Sequence, residues 1–224
     1  MRPFFEGLAA QLEPPLAVAH RFMDSPAQLA AYTRRREGLL WRDPQTFDTP
    51  VYYLSFHGSP GRIHTALSKI GPAALCRAFA GWGKSYDNLV YFGACSVFAG
   101  KRGARFAGEF LKKSGCRAVV GYTTDVNWMD SMLTDLLFLR RFYADPAPWK
   151  NLRAIHESVL ADFAPARSLG RAQSADGAAC GRPVGARRRA AGGARRHGYP
   201  GGFRHARGDA AAAGTVCGVA EPRG

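Results

Sequence analysis

Three apolar runs between Val51 and Thr123 constrain this chain more than any other feature. They are Val51-Tyr52-Tyr53-Leu54-Ser55-Phe56, Asn88-Leu89-Val90-Tyr91-Phe92 and Cys116-Arg117-Ala118-Val119-Val120-Gly121-Tyr122. Each is rich in β-branched and aromatic residues, as strands buried on both faces of a parallel sheet are. Each stops at small or reactive residues: His57-Gly58, then Gly93-Ala94-Cys95-Ser96, then Thr123-Thr124-Asp125. In open parallel sheets, chemistry collects beyond the carboxyl ends of the strands. Two of these ends carry a histidine and a cysteine, the pair that a thiolate nucleophile and its base require.

Segments of helical spacing separate the runs. Helices are predicted over 3–12, from Ser25-Pro26 to about Arg36, over 72–82, 102–114, 127–143 and 149–163. Ser25 and Asn127 have the chemistry of N-caps, and Pro26 suits a first helical position. Gly115 suits a C-terminal stop. A short strand is predicted over 16–22, and 62–70 fits a small hairpin. Alternating strands and helices point to a three-layer α/β sandwich with a mostly parallel sheet. Such a sheet usually begins with a strand, whereas this chain opens on a helix. The expectation is that the first strand has been lost, and an in-frame apolar segment upstream in the gene would support it.

The charge of +14 is unevenly placed. Residues 1–164 carry 20 Lys and Arg against 14 Asp and Glu, and residues 165–224 carry 11 Arg against 3 acids. The excess therefore says little about a folded nucleic-acid-binding face. Residues 1–164 are read as the α/β domain. Residues 165–224 form an Ala/Gly/Arg-rich, low-complexity tail with one Leu and no Ile, Met or Trp. Such a composition buries too little apolar area to offset its chain entropy. It reads as a disordered tail or a frameshifted translation of GC-rich DNA, ahead of a basic arm for nucleic acid or a membrane surface.

Five cysteines without metal-ligand or disulfide spacing suggest reduced thiols in a cytoplasmic protein. No apolar run approaches the ~18 residues of a membrane span. No metal and no cofactor are expected. Gly58-Ser59-Pro60-Gly61 lacks the lysine and spacing of a phosphate-binding loop.

The strand ending in His57-Gly58, the strand ending in Gly93-Ala94-Cys95-Ser96, and the helix and Gly-Cys-Arg-Ala-Val-Val-Gly strand that follow resemble the caspase-like cysteine peptidases. That group includes caspases, metacaspases, gingipains and CHAT domains, and the chain looks closest to a small bacterial CHAT-like branch. The resemblance covers Val51 to Asp130, and more weakly reaches Phe163. It implies a caspase-like fold and a cysteine endopeptidase acting on protein or peptide substrates. His57 would be the general base and Cys95 the nucleophile that forms an acyl-enzyme. The Gly58 and Cys95 amides would line an oxyanion hole. Two positions depart from the family pattern: Gly93 stands where many members carry an acid, and Val97 where glycine is frequent. The alternative is a catalytically inactive, caspase-like protein-interaction domain or a truncated gene product.

Asp125 and Trp128 fall near the expected substrate path. The plainer reading is that Asp125 caps the next helix and Trp128 packs on the sheet. His64 is read as a solvent-facing loop residue, His20 and His156 as structural, and Cys76 and Cys116 as core. Lys101-Arg102-Gly103-Ala104-Arg105 is read as a solvated helix start.

Overall fold

The computed structural model describes residues 2–34, 37–39, 49–80 and 88–163, with the backbone of Gln173–Ser174 and Gly214–Ala220. In chain order the elements are α1 (Arg2–Ala10), β1 (Ala17–Met23), α2 (Pro26–Thr33) and β2 (Val51–Ser59). Next come β3 (Arg62–His64), β4 (Lys69–Ile70), α3 (Pro72–Ala78), β5 (Leu89–Ala94) and α4 (Gly100–Ser114). The last are β6 (Ala118–Gly121), α5 (Trp128–Ala144), α6 (Pro148–Asp162), β7 (Gln173–Ser174) and β8 (Gly214–Ala220).

Local chemistry sets several of these boundaries. The Ser25 hydroxyl accepts from the Gln28 amide, and Pro26 supplies the fixed φ of the first helical position. Asn127 caps α5 by accepting from the Met129 amide. Gly115 ends α4 in the left-handed region, at φ 73°. The predicted helix over 72–82 stops sooner, at Ala78, and positions 81–82 lie outside the described residues.

The sheet order is β1-β8-β2-β5-β6-β7, with β3 and β4 attached to β2. β2, β5 and β6 run parallel, so Tyr53 stands level with Tyr91, and Tyr91 level with Val120. β7 is antiparallel to β6, and β8 is antiparallel to both β1 and β2. The sheet is therefore mixed rather than mostly parallel. Both antiparallel members of the main path come from beyond residue 164, where composition alone shows no element. The Thr-Val-Cys-Gly-Val run at 215–219 is the local exception, since its β-branched residues suit a strand. The rest of the predicted tail lies outside the described residues.

β1 and β2 are not neighbours, and the position between them is held by β8.

Strand alternation builds two cores. Tyr52, Leu54, Val90 and Phe92 face one way, against Leu29 of α2, Leu75 of α3 and Phe106 and Phe110 of α4. Val51, Tyr53, Leu89, Tyr91 and Val120 face the other way, against Phe5 of α1, Phe138 and Phe142 of α5, and Ile155 and Val159 of α6. Helices cover both faces, and each large apolar side chain fully buried between the layers contributes about 1.5–3 kcal/mol. Among the described residues, no helix is long and apolar enough to cross a membrane.

Candidate active site

The site begins with the β2–β5 register. Phe56 pairs with Ala94 at the end of the ladder, and His57 and Cys95 are the next residues of the two segments, Cys95 already in the turn past β5. Alternation along β2 from Tyr53 puts His57 on the face that α5 covers, and the Cys95 thiol points to the segment that leads into α5. His57 is exposed and Cys95 is half-buried. β2 does not stop at His57, as its sequence predicts, but continues to Ser59 and turns into β3. The turn continues the ladder because Ser59-Pro60-Gly61 folds the chain back on itself, with Gly61 at φ 74°.

Gly58 is required by close approach. A Cβ there would collide with the Cys95 carbonyl oxygen and come within 2.8 Å of Val97 Cγ2. The Gly58 backbone thus packs directly on the cysteine turn. Cys95 donates its thiol hydrogen towards the Val126 carbonyl, with Sγ 3.7 Å from the oxygen. No hydrogen bond joins the His57 ring to this thiol.

The turn after Cys95 is unusual. Ser96 has φ 54° and is the one non-glycine described residue with positive φ. That conformation costs a residue with a Cβ about 1–2 kcal/mol. Surrounding bonds hold it in place. The Ser96 amide donates to the Thr124 carbonyl at 2.9 Å, and the Phe98 amide to the Tyr122 carbonyl at 2.8 Å. The Ser96 hydroxyl donates to Asp125 Oδ1 at 2.6 Å. Strain of this kind collects at functional turns.

Asp125 therefore does not cap α5; that role belongs to Asn127, and Asp125 clamps the cysteine turn instead. Trp128 does not lie flat on the sheet either, for 58% of it is exposed. His64 is not a loop residue. It lies in β3, directly opposite His57, half-buried, with Nε2 2.8 Å from the Ser59 hydroxyl. Burial, and after it the nearby charges of Lys69, His57 and Arg62, lower its pKa.

Cys95 differs from the other two cysteines whose side chains are described. Cys76 and Cys116 are buried. Burial pushes the Cys76 thiol up, and pushes Cys116 up to about 12 although the Ser114 hydroxyl donates to it. Both are core, as their sequence positions suggest. His156 is buried, and His20 stacks edge-on against Phe22.

No family model, curated protein or solved structure matches the chain.

The structure adds one cluster that the sequence did not reveal. Beneath the site, Asp135 of α5 collects three tyrosine hydroxyls. Tyr91 and Tyr122 donate to Oδ1 at 2.5 Å and 2.6 Å, and Tyr53 donates to Oδ2. Burial raises the Asp135 pKa from 3.8 to about 6, against the three hydroxyls, which act to lower it. The available signal was an aspartate on the apolar stripe of a helix, opposite tyrosines at matching strand positions.

The same cluster explains Gly93. A Cβ there would run into the Tyr53 hydroxyl and lie 2.6 Å from its Cζ. The Tyr53 ring occupies the space an acidic side chain would need. Among the described residues, no group of three or more His, Cys, Asp or Glu is arranged to hold a metal.

Proposed function

We propose that the chain is a caspase-like cysteine endopeptidase in which Cys95 is the nucleophile and His57 the base. The observation that carries this reading is the β2–β5 register, whose last pair, Phe56 and Ala94, immediately precedes His57 and Cys95. The strained turn at Ser96 supports it, because it holds the cysteine at the end of the strand and not within it.

The thiol proton passes to the His57 imidazole, and the Cys95 thiolate attacks the peptide carbonyl carbon. The resulting oxyanion takes hydrogen bonds from the Gly58 and Cys95 amides. As it collapses, the C–N bond breaks and the imidazolium gives its proton to the leaving amine. A thioester remains on Cys95. Water adds to it, gives a proton to His57, and releases the carboxylic acid with the thiolate restored. No step needs a metal, a cofactor or an oxidant.

One observation favours a second reading, a non-catalytic interaction domain of the same ancestry. The Cys95 thiol is turned towards the Val126 carbonyl and no hydrogen bond links it to His57. Catalytic hydrogen bonds often tighten only with substrate present, so this geometry leaves the peptidase reading standing.

Iodoacetamide labelling from pH 5 to 9 decides between them, on wild type, Cys95→Ala and His57→Ala. The peptidase reading expects Cys95 to label far faster than the other four cysteines below pH 7, and the His57 change to remove that advantage. If Cys95 labels no faster than Cys76 or Cys116, or only on unfolding, the interaction-domain reading takes its place.

A further inference from the structure

The inner stripe of α5 consists of Trp128, Met132, Asp135, Leu139 and Phe142, at the spacing i, i+4, i+7, i+11 and i+14. Four of the five are buried at 3% exposure or less, whereas Trp128 is 58% exposed. The three tyrosine hydroxyls fix Asp135 over β2 and β5. From Asp135 back to Trp128 the helix spans seven residues, about 10 Å at 1.5 Å per residue. From Tyr91 on to Cys95 the strand spans four residues, about 13 Å at 3.3 Å per residue. Both displacements run towards the carboxyl ends of the strands, on the same face. The start of α5 therefore reaches about the level of the thiol. The contact between the Val126 carbonyl and Cys95 Sγ independently ties the start of α5 to the nucleophile. Met129, next to Trp128, is also exposed.

The carboxylates near this wall differ in how open they are. Asp125 holds the Ser96 hydroxyl. Asp130 follows Trp128 by two residues, about 200° around the helix, and so stands on its opposite side. Asp135 is 1% exposed beneath its tyrosines, and position 93 is a glycine backed by Tyr53. Of these, Asp125 is the exposed carboxylate, with the Ser96 hydroxyl on one of its two oxygens, so the Arg probe below tests it directly.

We propose that Trp128 is the specificity-determining residue of the site. It forms the wall of a subsite that takes a bulky apolar side chain of the peptide, beside the bond that Cys95 attacks. This rests on the reading of Cys95 as nucleophile. Apolar contact of this kind discriminates by about 10- to 200-fold.

Two peptidyl acyloxymethyl ketones test it, identical except for Leu or Arg beside the ketone. In each, the Cys95 thiolate bonds the methylene carbon as the acyloxy group leaves with its electron pair as a carboxylate. Adduct formation on Cys95 of the full chain is followed by mass spectrometry, with the iodoacetamide rate as a measure of the thiol alone. The Leu probe is expected to react at least ~10-fold faster than the Arg probe. Trp128→Ser removes the gap, Trp128→Phe restores it, and neither changes the iodoacetamide rate. An Arg probe as fast as the Leu probe overturns the apolar subsite, while rapid iodoacetamide labelling keeps the nucleophile. A Leu preference that survives Trp128→Ser overturns the role of Trp128. A Cys95 that is slow with every reagent overturns both readings together.

Discussion

Replacing Asp135 with asparagine tests whether the tyrosine cluster governs stability in the pH range where the site works. The carboxyl is fully buried, and its pKa is raised from 3.8 to about 6. A raised carboxyl pKa means that the folded state binds the proton more tightly than the unfolded chain. Its contribution is complete below about pH 4 and is lost as the pH rises through 6. At 1.36 kcal/mol per pH unit, the loss is about 3 kcal/mol. The substituted amide has no proton to lose, while its oxygen can still accept from Tyr91 and Tyr122, and Tyr53 can turn its hydroxyl to accept from the amide nitrogen. Urea unfolding of wild type and Asp135→Asn at pH values from 4 to 7.5 measures the difference. The asparagine variant should gain on wild type by about 3 kcal/mol across that window. Asp135→Ala sets the opposite limit, since it takes the shared acceptor from three buried hydroxyls, of which Tyr122 keeps the Ser131 carbonyl; each lost bond left unmet costs about 1–3 kcal/mol. That total is a large part of the ~5–15 kcal/mol that holds an ordinary domain together. Parallel stability curves for wild type and Asp135→Asn would refute the argument. They would mean that the tyrosines hold the carboxylate ionised, and that burial does not dominate.

Gly93→Ala should destabilise by about 1–3 kcal/mol in the same assay, because the buried Tyr53 ring cannot yield without breaking its bond to Asp135. Unchanged stability would show that the ring has room to move. Ser96→Val should cost about 2 kcal/mol, since a β-branched residue suits φ 54° poorly, whereas Ser96→Gly should stay within about 1 kcal/mol of wild type. Equal effects would deny strain at the turn. In an NMR titration the His64 ring should protonate at a lower pH than a free histidine, because it is half-buried beside cationic neighbours; an ordinary midpoint would contradict this. Removing residues 165–224 should abolish hydrogen-exchange protection in Ala17–Met23, which loses its β8 ladder. Retained protection there would show that β8 is not part of the sheet in solution.

The sequence by itself determined the elements whose signals are local. Ser25-Pro26, Asn127 and Gly115 act through their own side chains or backbone freedom within one turn of the helix they start or stop. The three apolar strands were legible because burial on both faces leaves almost no polar residue in them. His57 and Cys95 were legible as strand-end residues, although β2 ran on through the hairpin. Tertiary structure alone decided what depends on residues distant in the chain. Asp135 reads as one acid on a helix, and its meaning comes from tyrosines 82, 44 and 13 residues away. Asp125 carries a cap-like signal, yet its carboxylate takes the hydroxyl of Ser96, 29 residues earlier. β8 was hidden because strand pairing depends on a partner's edge, and that edge, between β1 and β2, exists only once the sheet has formed. Trp128 shows the limit most clearly: its place in the helical stripe is written in the sequence, but its exposure is known only from the tertiary structure.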